Sequence, residues 1–181
     1  MATGCSYNCA DLPSHEKVSC GAFAKGGVNS IGILDCDHSI TDFTNATQLN
    51  TAISTGNLKL IEPVRATLPE ASEINGTNPN ACGSADVLDG FDWTFTWTDY
   101  NRTANNDNFY ERLNLRQGYL LWYECMNDKL NVVELAVSFV AKLNSPESNK
   151  EKQFYSITAK WSSAPDVFPV LYTAPAGVFA Q

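Results

Sequence analysis

The sequence predicts a mainly β fold, a β-sandwich or a rolled antiparallel sheet with one or two short α-helices, a long inter-strand loop and extended termini. The first observation is the segment "DGFDWTFTWTD" at residues 89–99, where aromatic and polar residues alternate. Side chains on a strand point to opposite faces in turn, so a period of two indicates a strand with one buried face. The same period recurs in "NVVELAVSF" and "FYSITAKW", and two other segments carry helix-capping residues.

Length and composition fit one globular domain. The chain has 181 residues, of which 44% are hydrophobic and 18% are charged. A chain of this size can bury a substantial core without dividing into domains. We therefore expect a single domain over residues 1–181. Within it, residues 1–17 are polar and rich in turn formers, which predicts an extended N-terminal arm.

The first helix is predicted over residues 44–55. Either Thr44 or Asn45 can cap its N-terminus, and Gln48 lies three residues after Asn45, the spacing of a capping box. Gly56 is suited to the position just after the helix, where a left-handed backbone conformation ends many helices.

The second helix is predicted over residues 105–117. Asn and Asp residues compete to cap its start, and Phe109 lies four residues before Leu113, so that both share one face. Gly118 is the expected end of this helix.

Residues 68–85 are predicted to form a long polar loop that acts in assembly. Pro79 and Gly83 interrupt any strand, and loops of this length inside a compact domain usually have a function. The acids Glu70 and Glu73 are expected to pair with basic residues of a neighbouring subunit.

The C-terminal residues 165–181 are predicted to be an extended tail that docks onto a neighbouring subunit. The segment contains three prolines, which exclude a central strand, yet it is rich in apolar side chains. Such side chains need a partner surface. Those expected at a contact are Phe168, Leu171, Tyr172 and Phe179.

The aromatic row of the 89–99 segment has three possible uses. It could be a nucleic-acid stacking surface, a carbohydrate platform or the wall of a core. Stacking surfaces for nucleic acid carry basic residues between the aromatics, whereas here the intervening residues are Asp and Thr. Alternation is typical of a half-buried strand, which favours the core interpretation over the sugar platform. The predicted core residues are Phe91, Trp93, Phe95 and Trp97.

The charge balance and the termini limit the partners. Twelve Lys and Arg against twenty Asp and Glu give a net charge of −8, which disfavours tight binding of nucleic acid. The start, "MATGCSYNCADLP", has no features of a secretory leader, and no apolar run approaches a membrane span. We expect folding in a reducing cytoplasm, no membrane partner, and six cysteines present as thiols.

A metal site is a weak alternative for the N-terminal residues. Cysteine thiolates and imidazoles are zinc ligands, but the spacing here matches none of the usual ligand pairs. We expect neither a metal nor another cofactor. The residues that would be candidates are Cys5, Cys9, His15 and Cys20.

No catalytic motif stands out. The chain has two histidines, His15 and His38, and neither lies in a nucleophile motif. The sequence contains no G-x-S-x-G, Walker or G-x-G-x-x-G motif. We therefore expect no enzymatic activity.

Three long stretches resemble tailed-bacteriophage virion proteins, in particular tail-tube proteins, and are similar to small structural proteins of phages of Bacteroidetes. They are "DHSITDFTNATQLNTAISTGNLKLI", "ACGSADVLDGFDWTFTWTDYN" and "SNKEKQFYSITAKWSSAPDVFPVLYTAPAGVF". The resemblance covers most of the chain from about Cys20 onward.

The resemblance implies a structural protein that self-assembles into hexameric rings, with stacked rings around a DNA channel. Its partners would be copies of itself, other virion proteins and passing phage DNA, which it would not bind sequence-specifically. The long loop would bridge one ring to the next. The protein would be located in the virion after assembly in the bacterial host cytoplasm.

Two alternatives stay open at this point. The N-terminal cysteines and the Pro-rich tail are not required by the tube fold, so a ring, head-completion or capsid-decorating virion protein is also compatible. An alternative of another class is a carbohydrate-binding β-sandwich module, which the aromatic count favours.

Overall fold

The computed structural model describes residues 28–62, 65–77, 86–124, 129–145 and 152–179, and the statements below concern these residues. They form nine strands and two helices. In chain order these are β1 Val28–Asp35, α1 Ala46–Ser54, β2 Leu58–Ile61, β3 Arg65–Ala66, β4 Glu70–Thr77, β5 Asp86–Asp99, α2 Ala104–Leu113, β6 Gln117–Glu124, β7 Lys129–Asn144, β8 Phe154–Ser163 and β9 Val170–Thr173.

All nine strands belong to one antiparallel sheet, which confirms the predicted fold class. The strand order is β2-β1-β6-β7-β8-β5-β3, with β4 paired to β5 and β9 paired to β7. β1 also contacts β3, so the sheet is rolled although its edges are not joined by hydrogen bonds.

The long strand β7 divides the sheet into two halves. Residues 129–138 of β7 pair with β6, residues 138–144 pair with β8, and β9 pairs with the first four residues of β7. Two extra residues of β7 lie between its pairs with Gly118 and Leu120, which is a β-bulge that bends the strand. We call β2, β1, β6, β9 and the start of β7 the first half-sheet. The second half-sheet consists of the end of β7 with β8, β5, β4 and β3.

The two half-sheets differ in how many of their faces are covered. A first core lies between them and is completed by Phe109, Tyr110 and Leu113 of α2. A second core lies on the opposite face of the first half-sheet, against Leu49 of α1 and Phe179 of the C-terminal segment. The first half-sheet is therefore covered on both faces, and the second half-sheet on one.

The helix ends follow local chemistry only in part. Asn45 caps α1, as its carboxamide oxygen accepts from the backbone N–H groups of Thr47 and Gln48, and Gly56 after the helix has a φ of 78°. Gln48 does not complete a capping box but accepts from Thr41 and Asp42.

α2 is capped by Thr103, not by the Asn or Asp residues that the sequence suggested. α2 also ends at Leu113, four residues earlier than predicted, and Gly118 lies inside β6. Gly118 is needed there for packing, because a Cβ atom would lie 2.9 Å from the carbonyl oxygen of Leu34.

The predicted loop over residues 68–85 is wrong for its described part. Glu70–Thr77 form strand β4, which pairs along its whole length with β5. Backbone pairing with a long neighbouring strand outweighs the low strand propensity of a polar sequence. Pro79 and Gly83 lie outside the described residues.

The C-terminal tail belongs in part to the domain itself. Val170–Thr173 form β9, an edge strand that pairs with β7, as the absence of proline from these four residues allows. Phe179, expected at a contact between subunits, is instead 2% exposed and stacks on Tyr123 in the second core. This placement corrects its assignment as an assembly residue.

Candidate assembly surfaces

The aromatic row of β5 runs from the core to the surface. Phe95 and Trp97 are 0% and 2% exposed and lie in the first core. Phe91 and Trp93 are only partly buried. The rings that pack on the row differ along it: Phe95 contacts the buried Trp122, whereas Phe91 contacts the exposed Phe168.

The outer aromatics contact one another instead of presenting free ring faces. The indole of Trp93 lies parallel to that of Trp161, with 5.8 Å between ring centroids and 4° between planes. Phe168 from the C-terminal segment meets Trp93 edge-on at 6.1 Å and also contacts Phe91. The Nε1 of Trp93 donates to Ser163 Oγ at 3.0 Å. A sugar platform needs a ring face open to solvent, and Trp93 has one of its faces against Trp161.

Beyond β8, strands β4 and β5 continue as a two-stranded projection, which we call the arm. The arm comprises residues 74–77 of β4 and 86–90 of β5, which pair with each other. Among the described residues no other strand pairs with them. A lone pair of strands is marginally stable in water, so the arm gains from contact with another surface.

A β-bulge sets the side chains of the arm. The register of the β4–β5 pair shifts between Ile74 and Asn75, which adds one residue to β5 near Asp89. As a result Leu88 continues the face that carries Phe91, although the two are three residues apart. Gly76 lies against the Asp89 carboxylate so closely that a Cβ atom would overlap it.

The base of the arm carries a concentration of acids. Glu70 and Glu73 are exposed on β4, and Asp89 and Asp92 are exposed on β5. The strand sequences "EASEINGT" and "DVLDGFD" contain no Lys or Arg. The arm is therefore a negatively charged element of the surface.

Exposed apolar side chains lie on the arm, at its base and in the C-terminal segment that contacts its base through Phe168. Phe168 and Leu171 are 56% and 58% exposed, and Leu88 is also exposed. Phe168 borders a cavity of about 190 Å³ at the bend of β7, with Leu135 and Trp161 among its walls. We call Leu88, Phe91, Phe168 and Leu171 the apolar patch. Tyr172, another expected contact residue, is partly buried and donates to Glu134 at 3.2 Å.

The outer face of the second half-sheet is rich in hydroxyl groups, and we call it the hydroxyl face. Its side chains alternate with those of the core, and no helix or strand of the described chain packs against it. Its charges are few and of both signs. The residues are Ser138, Val140 and Lys142 on β7, Ser156, Thr158, Lys160 and Ser162 on β8, Asp92, Thr94, Thr96 and Thr98 on β5, and Glu70 and Ser72 on β4.

Helix α2 is held by two tyrosine–aspartate contacts. Tyr110 donates to Asp99 at 2.8 Å in the interior, and burial, with the nearby Asp99 carboxylate second, raises the pKa of Tyr110 well above its usual value. Tyr155 donates to Asp107, which also pairs with Arg102 at 3.3 Å. The hydrogen bond from Tyr155 lowers the pKa of Asp107, and burial raises the pKa of Tyr155.

A buried ion pair fixes the segment after α2. Arg116 Nη1 lies 3.1 Å from Asp35 Oδ1, and the two side chains are 5% and 4% exposed. The pair ties this segment to the end of β1. Removing one partner would leave an uncompensated buried charge, which is costly.

The metal candidates receive no structural test. Cys5, Cys9, His15 and Cys20 lie outside the described residues. Within the described part of the chain no three His, Cys, Asp or Glu residues are grouped as a metal site would require. Cys36 is disulfide-bonded, so the expectation of six free thiols is wrong at this position.

Neither described helix is both long enough and apolar enough to cross a membrane.

Comparisons with known proteins give distant likenesses among solved structures alone. No protein-family model matches the chain, and no curated protein matches it. Among solved structures it is similar to a chain of "Tail of empty GTA particle computed with helical refinement, C6 symmetry", with a TM-score of 0.39 and 11% sequence identity. The match covers 67% of this chain and 90% of that chain. The likeness is too distant to establish a shared fold.

Sequence reasoning missed several residues that position these surfaces. Asp99 and Tyr110 meet only because α2 folds back on the end of β5, and Arg116 and Asp35 are 81 residues apart. For the first pair, the sequence offered one indication, the acid Asp99 at the end of a strand with a buried face. No local pattern marks the second.

Proposed function

We propose that this chain is a non-enzymatic structural component of a tailed-bacteriophage virion that acts by self-assembly, as a tail-tube protein in a hexameric ring that lines a DNA channel. The resemblance of three long stretches to phage structural proteins motivates the proposal, including the link to phages of Bacteroidetes. The observation that carries it is the arm, together with the apolar patch at its base.

The arm has little stability of its own in a monomer, because a lone pair of strands is marginally stable in water. Its two strands have no covering layer among the described residues, and the apolar patch exposes large side chains next to it. Burying Phe168 or Leu171 in an interface would contribute about 1.5–3 kcal/mol each. The acids Glu70 and Glu73 add selectivity for a basic partner surface, although exposed pairs contribute only about 0–1 kcal/mol each.

The hydroxyl face is suited to a channel wall. Its Ser and Thr side chains carry no charge, and its Lys142 and Lys160 are matched in number by Asp92 and Glu70. Phosphates would be neither held nor strongly repelled there, which suits DNA that must pass without binding. In this proposal Glu73, which shares the face of Phe91, lies at contacts between copies, whereas Asp92 and Glu70 lie on the hydroxyl face, where Glu70 is at its β4 edge.

The disulfide of Cys36 indicates that the protein meets an oxidising environment at some stage. Disulfides are rare in a reducing cytoplasm, where the proposed virion would be assembled. In this proposal the bond forms after assembly, once the particle leaves the host.

Sedimentation velocity over a range of concentrations tests the proposal. We expect wild-type protein to form discrete oligomers. The double variant Phe168→Asp/Leu171→Asp should remain monomeric, because burying two carboxylates in an apolar contact is costly. Lys160→Glu is the matched control, since it changes the net charge by the same amount on the exposed hydroxyl face. Equal association of the double variant and wild type would contradict the role of the patch.

A carbohydrate-binding module predicts a different result. Sugars would quench tryptophan fluorescence at Trp93, and the protein would stay monomeric. The parallel contact of Trp93 with Trp161 disfavours this alternative.

A further inference from the structure

Among the described residues, the edge of the second half-sheet at β7 has no neighbouring strand and is closed by a side chain. From Val140 to Asn144, β7 pairs with β8 on one side, whereas its pairing with β6 on the other side ends at Ser138. Backbone groups in an antiparallel strand point alternately to the two sides. Every second residue of this stretch therefore directs its N–H and C=O away from β8.

Asn114 occupies the position that a further strand would take. Its Oδ1 accepts from the backbone N–H of Ala141 at 2.5 Å, and its Nδ2 donates to the C=O of Ala141 at 3.0 Å. A carboxamide has the same donor and acceptor as a peptide unit, so it satisfies both groups of one residue at once. Asn114 reaches the strand because it is the C-cap residue of α2, whose Leu113 is anchored in the first core.

The surroundings show why this edge needs closing. Val140 and Leu143 are exposed on β7, and Leu115 next to Asn114 is 70% exposed. A strand edge with exposed apolar side chains and no neighbouring strand is a template for pairing with another chain. Charge on an edge strand discourages such pairing; β4 carries two acids, whereas the stretch Val140–Asn144 carries the single charge of Lys142.

We propose that Asn114 terminates the sheet at β7 and thereby prevents copies of this chain from joining edge to edge there. The role does not depend on ring formation, since it concerns a contact that the protein avoids. It assigns the closing of the β7 edge to a single side chain.

Amide hydrogen exchange and sedimentation of three variants test the inference. All are made in the Phe168→Asp/Leu171→Asp background, so that association through the apolar patch is not counted. Asn114→Ala removes both bonds to Ala141. Asn114→Asp keeps the acceptor for the N–H of Ala141, loses the donor to its C=O, and places a charge at the edge. Asn108→Ala is the control, an exposed asparagine on the same helix.

In Asn114→Ala we expect exchange of the Ala141 amide about tenfold faster than in the background protein, from the loss of one hydrogen bond. We also expect concentration-dependent growth of β-rich aggregates. Asn114→Asp and Asn108→Ala should keep Ala141 protected and stay monomeric.

Unchanged exchange of Ala141 in Asn114→Ala would overturn the inference. Faster exchange without any association would also overturn it, because the side chain would then serve only to dock α2. If Asn114→Ala does not fold, the inference is tested in the background protein and in Asn114→Asp. In both, Ala141 should exchange more slowly than Leu143, two residues further along the same edge, and equal rates would contradict the inference.

Discussion

The two ends of β5 share one alternating pattern but lie in different environments. At the C-terminal end Phe95 and Trp97 are buried in the first core. At the N-terminal end Leu88 lies on the arm and Phe91 lies at its base, where Phe91 contacts Phe168 of the C-terminal segment at 5.9 Å. The difference goes with the rings that pack on this face, since Phe95 and Trp97 contact Trp122 and Phe139 of the first core. Alternation therefore shows which side chains share a face, but it does not show where along the strand the core ends.

The largest expected effect comes from truncating the buried end of the row. Phe95→Ala should lower the free energy of unfolding by about 3–5 kcal/mol, because it leaves a cavity in a packed core. Phe91→Ala is the matched change at the other end and should cost less than about half as much. Urea denaturation measures both, and similar costs would remove the distinction between the two ends.

The C-terminal segment allows the same comparison. Phe179→Ala should cost about 3–5 kcal/mol, since this ring is enclosed in the second core. Phe168→Ala should have a much smaller effect on the stability of the monomer, because Phe168 is exposed. Deleting all of 165–181 removes both residues and β9, so we expect that truncated chain to be destabilised. A truncated chain as stable as wild type would contradict the placement of Phe179.

A smaller effect is expected at the contact between α2 and β5. Tyr110→Phe removes the hydrogen bond to the buried Asp99 and should cost about 1–3 kcal/mol. Tyr100→Phe is a suitable control, because Tyr100 is exposed beside the same strand end. Equal stability of both variants in urea would show that the buried contact contributes little.

The smallest effect concerns pH. The pKa of Asp107 lies below its ordinary 3.8 in the folded protein, so its contribution is present above that pH and is lost as pH falls through the folded value. The pKa of Tyr155 is raised above 10.0, so its contribution is present below pH 10 and is lost as pH rises further.

We therefore expect thermal stability to decline at both extremes of pH. Asp107→Asn should flatten the acid side of the profile, because it removes the group that titrates there. If the low-pH part of the profile is unchanged in this variant, the loss of stability at acid pH is due to other carboxylates.

The parts of the fold that depend on local sequence could be predicted. The strand period identified β5, β7 and β8, and the cap at Asn45 with Gly56 placed α1. These features follow from side-chain alternation and from backbone conformation within a few residues.

The remaining features depend on contacts between distant residues. β4 is polar and exposed, so no hydrophobic pattern marks it, and it is a strand because β5 extends far enough to pair with it. The cap of Asn114 on Ala141 joins residues 27 apart, and the burial of Phe179 depends on Tyr123. In the candidate site, the sequence suggested the acids and Phe168 but not the arm that brings them together.

Negative-stain electron microscopy of the purified full chain tests the central claim most directly. We expect wild-type protein to form closed rings or stacked tubes with a central opening, and Phe168→Asp/Leu171→Asp to form neither while keeping the circular dichroism of the wild type. A wild-type protein that stays monomeric at every concentration would contradict the claim, as would a double variant that forms the same rings.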